Sequence, residues 1–477
     1  MTRLNTAMAG PSKTPQRNSS ALGTPVWRTA IDLPLMDTPA LARVGNTALA
    51  AFGTGGRSAS TGGLLVLEAS TGKIAWQFDA ASGVEGGATI DTTAVARAYF
   101  GDQLGRMHCL DLAAQRELWQ AQLEGGIVAA PLLANGRLFI GTSLGVVACI
   151  DPATGKVVRS AKVQSQLVTA QPIHVAQEPR PQGDYLHDLR ENLSKTFSLD
   201  ELKTMCADLG IEFEDLSGEG RSGKARELVR YLAQRDRLNE LVNWCETQRP
   251  NVWWKATPKP LLQSQPDDGP ARQAARIAST PVSLSSSVVL VCALDGGLYR
   301  FSIDPAQPAL ARLFDAGAAL YAAPIVTGNN ARIILATYRG DVVSIDAASG
   351  REAWRVAVGK PIRETPCVAD GALVFGTQGR TLHALDIANG QERWRLDWRN
   401  SITTTPLVQD GRVLFGDTQG RMVCVNEATR EVIWEFDAQA DRAGLDGKSA
   451  AVFGGFASHE GRVLCCTFNG CAYALKF

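Results

Sequence analysis

The sequence is short of the features that most directly announce a function. No apolar run reaches the length of a membrane span. Residues 1–23 are rich in Ser, Thr, Ala and Pro, carry Arg3, Lys13 and Arg17, and hold no apolar stretch of signal-peptide length. They are expected to form a disordered leader on a cytoplasmic protein. There is no CxxC pair and no Cys/His spacing of a zinc site, so no metal or cofactor is expected. The ten cysteines fall largely at apolar strand-like positions, as at Cys109, Cys149, Cys292 and Cys424, and read as reduced core residues. The formal net charge is zero, which removes any global attraction to nucleic acid or acidic membrane. The histidines, His108, His174, His187, His383 and His459, are scattered, and three lie at strand positions. Gly53 to Gly63 and Gly83 to Gly87 lack the strand-to-helix setting of a phosphate loop and read as turns.

What the sequence does contain is a repeat. Leu385 to Trp394 reads L-D-I-A-N-G-Q-E-R-W: the end of one strand, a turn on Asn389-Gly390, and a second strand carrying a Trp. The turn calls for positive φ, which Gly accepts, and the Asp carboxylate can take the turn amides. Glu68 to Trp76 and Asp346 to Trp354 repeat the cassette. Asp151 to Arg159 keeps D-P-A-T-G and loses the Trp, whereas Asp111 to Trp119 and Asn426 to Trp434 lose the Gly and keep the Trp. Neighbouring copies lie about 40 residues apart, the period of propeller blades.

Upstream of each cassette runs a second pattern. Ile362 to Asp386, Ile402 to Asn426, Ile127 to Asp151 and Leu320 to Asp346 each give a strand with Thr-Pro or Ala-Pro, a turn, a strand, a second Gly turn and another strand. With the Trp strand, four strands make one blade. Eight copies are marked by Glu68, Asp111, Asp151, Asp304, Asp346, Asp386, Asn426 and Lys476. The last runs out at Phe477 before its Trp strand, and Thr24 to Arg28 supplies one at the other end. The expected fold is therefore mainly β: an eight-bladed propeller, with seven blades as the fallback, closed by its N-terminal strand. Trp27, Trp76, Trp119, Trp354, Trp394 and Trp434 are expected to pack between blades rather than to bind carbohydrate. The pattern resembles the pyrroloquinoline-quinone-type propeller repeat. That resemblance is shared by quinone-dependent dehydrogenases, outer-membrane assembly lipoproteins and cytosolic sensors or scaffolds.

The spacing breaks once, between Asp151 and Asp304. Residues 24–176 and 277–477 read as propeller, 177–183 and 255–276 as linkers, and 184–254 as a helical domain looped out of the fourth blade. Of Pro172 and Pro281, the latter is expected to mark that blade's inner strand. In the insertion the apolar period changes to 3.6. Leu186, Leu189, Leu193 and Phe197 form one stripe. Ser198 to Glu201 forms a capping box before Leu202, Met205, Cys206 and Leu209. Further helices are expected over Ser222–Gln234 and Asp236–Gln248, with Trp253 and Trp254 docking the domain's exit. The runs Phe197–Cys206, Asp208–Leu216 and Gly218–Leu228 resemble effector-associated domain type seven, a family of small death-fold-like bacterial adaptors. The resemblance implies homotypic recruitment of an effector that carries a related domain.

Charge within this domain is segregated. Glu212, Glu214, Asp215 and Glu219 crowd one half, and Arg221, Lys224, Arg226 and Arg230 the other. Opposed patches of this kind steer and register protein association; the bland reading is two solvated helix faces. The expected function is a non-enzymatic sensor or scaffold of a bacterial conflict or signalling system. Its adaptor recruits an effector, and its propeller senses a ligand or protein. The rivals are a plain binding scaffold and, less favoured, a quinone-dependent oxidoreductase. Cys465-Cys466 resembles the adjacent Cys pair over the cofactor of many quinone-dependent alcohol dehydrogenases, but it sits in a strand where one Cys would point inward and one outward. Asp79, Asp91 and Asp437 are the acidic residues considered for a central channel.

Overall fold

A computed structural model describes residues 22–55, 61–163, 189–190, 193–194, 196–235, 237–248, 275–441 and 449–477. The chain forms two compact units, residues 1–166 with 272–477, and residues 167–271. The expected disordered leader (up to residue 21), most of both linkers, Pro172, His174, Leu186, His187, Asp236 and Trp253-Trp254 lie outside the described residues.

The first unit is a ring of eight four-stranded antiparallel blades. Blades 1 to 7 span residues 35–80, 89–122, 132–162, 282–315, 325–357, 367–397 and 407–437. Blade 8 takes three strands from residues 457–476 and its outer strand from Pro25–Ala30. The middle strands are buried on both faces, as in Val146–Ile150 and Val288–Cys292, because each blade is sandwiched by two others. The outer strands alternate, as Glu392–Asp397 shows.

All eight blades carry a register shift between the third strand and the outer strand. A bulge re-aims the side chain beside it, and in six of the eight blades that residue is the cassette Trp, with Arg159 and Arg312 in its place in blades 3 and 4. A Cβ built on Gly72, Gly155, Gly390 or Gly23 would come within 2.5 to 2.7 Å of the ring of Trp27, Trp119, Trp354 or Trp434 respectively. Each Trp thus lies flat on the cassette glycine of the next blade. Those glycines also hold φ between +71 and +76°, so a side chain there would be both strained and in collision. Where the cassette lacks Gly, Gln115 and Arg430 adopt the same left-handed turn. The cassette carboxylates cap the turn as expected: Asp151 Oδ1 accepts the Ala153 and Thr154 amides at 2.9 and 3.1 Å.

Ring closure repeats this geometry across the two chain ends. Gly72 N–H donates to Glu68 O and Gly155 N–H to Asp151 O at 2.8 and 2.9 Å; Gly23 N–H donates to Lys476 O at 2.8 Å. Leu22 and Gly23 therefore complete the eighth cassette rather than belonging to the leader.

The insertion does not interrupt a blade. The four strands of blade 4 are contiguous over residues 282–315, led by Val282 just after Pro281. The extra residues sit in the connection from blade 3, not within blade 4 as the sequence had suggested. Ala275 N–H donates to Val163 O at 3.4 Å, so the excursion leaves and returns at adjacent points. Arg159, at the Trp position of blade 3, bonds the Asp304 and Gln307 carbonyls of blade 4. Blade contact therefore survives the loss of the Trp.

The second unit is helical. Helical residues within 189–196 precede α1 (Leu199–Asp208), a 3-10 turn (Phe213–Asp215), α2 (Gly220–Ala233) and α3 (Leu238–Gln248). The Ser198/Glu201 capping box is present. Leu189, Leu193, Phe197, Met205, Leu228 and Leu241 lie at the centre of its apolar core.

Candidate functional site

The propeller's central cavity comes from one recurring segment. A buried apolar residue starts the inner strand of blade 1 and precedes the inner strand of every other blade by about five residues: Leu35, Val84, Ile127, Ile277, Leu320, Ile362, Ile402 and Val452. Three of the four Ile wedge over a glycine of the preceding blade: Ile127 over Gly101, Ile277 over Gly141 and Ile402 over Gly376. The three positions that follow the wedge supply most of the cavity's lining. They read M-D-T, E-G-G, V-A-A, A-S-T, Y-A-A, R-E-T, T-T-T and F-G-G in blade order. The cavity is about 360 Å³.

Among the described residues its charged groups are Asp37, Glu85, Arg363 and Glu364. Asp37 sits at positive φ, and its backbone and carboxylate press against Gly454 and Gly87, where a Cβ would lie 2.4 and 3.1 Å away. The Gly pairs of blades 2 and 8 make room for it. Enclosure pushes the Asp37 carboxyl up to about 6, helped by the charge of Glu85 and opposed by the Thr38 amide at 2.6 Å. Glu364 is pushed up to about 7 by the same enclosure, with Arg363 pulling down and Asp37 pushing up. Glu85, 8% exposed, accepts from Gln103 Nε2 at 2.9 Å.

The acidic residues considered for the channel from sequence lie elsewhere. Asp79 is exposed and accepts from Gln77, Asp91 caps Thr93, and Asp437 pairs with Arg421 at 3.2 Å. The triplet after the buried wedge was the available signal, visible in I-R-E-T-P against I-T-T-T-P.

Cys465 and Cys466 are both buried, not one inward and one outward. Cys465 packs on Met422 between blades 7 and 8, and Cys466 donates to Asp37 O between blades 8 and 1. Burial pushes both thiols up, and neither lines the cavity. His108 and His383 stack on Phe100 and Phe375 at 4.9 and 5.4 Å and meet Glu117 and Glu392, so both are packing residues. Gly83 to Gly87 leads into the strand Thr89–Asp91, not a helix. Among the described residues no His, Cys, Asp or Glu cluster is arranged to hold a metal ion.

The charged residues of the helical unit divide into two sets. Glu212, Asp215, Glu219 and Arg221 are exposed, and among the described residues none has an ion-pair partner. The others are engaged within the domain. Lys224 Nζ donates to the Phe213 and Leu216 carbonyls at 2.9 and 2.6 Å and lies over the Phe213 ring, clamping the acidic loop. Arg226 and Arg230 both pair with Glu227, which is 8% exposed, at 3.4 and 2.7 Å. Glu214 pairs with Lys203 at 3.0 Å. Sequence spacing gave the sign of each patch. It could not show that Glu227, on the inner face of α2, draws two of the arginines to itself.

Residues 60–186 and 314–476 match the family described as outer membrane protein assembly factor BamB, and residues 189–250 match effector-associated domain 7. No curated protein matches the chain. Among solved structures, BamB from Moraxella catarrhalis is similar with a TM-score of 0.56 and 13% identity, over 95% of this chain and 99% of that one. The computationally designed Ika8 protein is similar with a TM-score of 0.56 and 12% identity, over 94% and 98%. At such identities the likeness is one of fold.

Proposed function

The chain belongs to the family of outer membrane protein assembly factor BamB, whose matched segments span more than half of the sequence, and from that premise we propose that it is a non-enzymatic sensor scaffold which recruits an effector through its inserted effector-associated domain. Both modules serve protein–protein interaction. The finer reading is a cytoplasmic component of a bacterial conflict or signalling system. No helix among the described residues is long and apolar enough to cross a membrane.

The observation that carries the proposal is the set of unpaired exposed charges on the helical unit. Glu212, Asp215 and Glu219 precede α2, and Arg221 lies in its first turn. A like domain can meet this mixed-sign patch with opposite charges, which raises encounter rates and fixes register. Lys224, although in the same stretch, holds the loop in shape.

The test uses the full chain as bait in native extract at low and moderate salt, beside a variant carrying Glu212→Lys, Asp215→Lys and Arg221→Glu. The expected result is capture, by the wild type alone, of a protein with a related helical domain, weakened by salt. Equal capture by both baits would leave only a plain scaffold. Reversing Arg226 and Arg230 instead would strand the buried Glu227 and confuse recruitment with unfolding.

A further inference from the structure

We propose that the turn between the second and third strands of blade 6 carries a docking site for an acidic segment of a protein partner, built from Lys360 and Arg380. In six of the other blades the residue before the third strand is a glycine: Gly105, Gly145, Gly296, Gly340, Gly420 and Gly470 hold φ between +78 and +95°. Blade 6 puts Arg380 there, at φ +68°. A left-handed arginine carries backbone strain that glycine avoids. The glycine of this turn, Gly379, stands one position early. A Cβ on Gly379 would lie 2.3 Å from Lys360 Cγ, so the missing side chain is the space in which the Lys360 stem lies. The inverted Gly-Arg order thus sets two cations on one turn, at a strain the other blades do not bear.

Neither cation serves the fold. Lys360 and Arg380 are exposed, and among the described residues neither side chain has an ion-pair or hydrogen-bond partner. The neighbouring blades pair their arginines. In blade 5 Arg339 donates to Asp341 Oδ2 at 2.9 and 2.7 Å, and Asp341 opens that blade's third strand. In blade 7 Arg421 opens the third strand and pairs with Asp437 at 3.2 Å. Blade 6 opens its third strand with Thr381 instead. The carboxylate opposite, Asp397, accepts from the Thr381 hydroxyl at 3.4 Å and forms no ion pair among the described residues. Arg363, three residues beyond Lys360, is engaged by Glu364 at 3.8 Å and lies outside the site.

The partner's chemistry follows from this exposure. Two exposed cations hold a small anion weakly, since water and salt screen each contact. A flexible chain bearing several carboxylates engages both at once. The Arg380 fork can take one carboxylate through two N–H bonds, and the Lys360 ammonium acts as a point charge. The zero net charge of the chain supplies no broad field for nucleic acid, so a short acidic protein segment is the better match. This inference goes beyond effector recruitment: it concerns the propeller alone, and its failure leaves the charged patch of the helical unit untouched.

The experiment is fluorescence anisotropy of a labelled polyglutamate peptide with the full chain, against Lys360→Gln, Arg380→Gly and the double variant, each also followed by thermal unfolding. Saturable binding is expected, weaker by about tenfold or more in the double variant and falling with added salt. Arg380→Gly restores the glycine of the other blades, so its Tm should hold or rise while its affinity falls. Lys360→Gln leaves the turn's backbone alone and should weaken binding at unchanged Tm. Absence of saturable binding, unchanged affinity in the double variant, or a lower Tm in Arg380→Gly would each overturn the proposal. So would tighter binding of a single-stranded oligonucleotide or of inorganic pyrophosphate than of the peptide.

Discussion

The cassette turns and the channel triplets belong to the same repeat and obey opposite rules. At the cassettes one contact recurs at four of the eight blade junctions, Trp on Gly, and it is reproduced even where the chain ends meet at Gly23 and Lys476. At the triplets no two blades agree, and charge is confined to three of the eight. Repetition marks what every blade needs to pack on its neighbour. Departure from repetition marks what the ring as a whole does at its centre. The helical unit follows the same division on a smaller scale: Lys224, Arg226, Arg230 and Glu214 serve the fold, and the neighbouring unpaired charges are left for a partner.

The largest effect should come from breaking a repeated contact at the closure. Trp27 is 8% exposed, and its indole donates to Ala69 O at 2.9 Å across the junction of blades 8 and 1. Trp27→Ala should cost about 3–5 kcal/mol in urea unfolding, as for other buried aromatic truncations. Little loss would mean that closure rests on the strand pairing alone.

A smaller loss is expected from Gly23→Ala. The new Cβ meets Trp434 at 2.7 Å, and the residue holds φ +73°. The cost should be about 1–3 kcal/mol, whereas Gly136→Ala, also at positive φ but with nothing within 4 Å of its Cβ, should cost less. Equal losses would assign the effect to backbone strain and not to the Trp contact.

The smallest effect, and the one opposite in sign, belongs to the channel. The folded-state affinity of Glu364 for its proton is raised from 4.5 to about 7 and that of Asp37 from 3.8 to about 6. The folded chain therefore holds more protons than the unfolded one between about pH 4 and 7, and stability falls as pH rises through that window. Glu364→Gln should raise Tm by a few degrees at pH 8 and barely change it at pH 4.5. A Tm that drops at both values would make Glu364 a structural residue and weaken the contrast between turns and triplets.

Much of the ring was legible in the chain. The Trp27 strand was assigned to the last blade because the eighth copy stops at Phe477 without one. The capping box at Ser198 and the apolar stripe through Leu202, Met205 and Cys206 gave α1. Less legible were contacts that depend on a residue's far side. Cys465 and Cys466 alternate along a strand, which in a half-exposed sheet would put one of them in water, but a middle strand of a blade is covered on both faces. Lys224, Arg226 and Arg230 look alike in sequence to Arg221, and only Phe213, Leu216 and Glu227 tell them apart.

Local chemistry decided the kind of element, the blade period, the positive-φ turns and the identity of the closing strand, because each depends on residues a few positions apart. Only the closed ring decided that Asp37, Glu85, Arg363 and Glu364 share one cavity while Asp79, Asp91 and Asp437 do not. Those four lie far apart in the chain, and their enclosure and mutual repulsion exist only once all eight blades stand around a common axis.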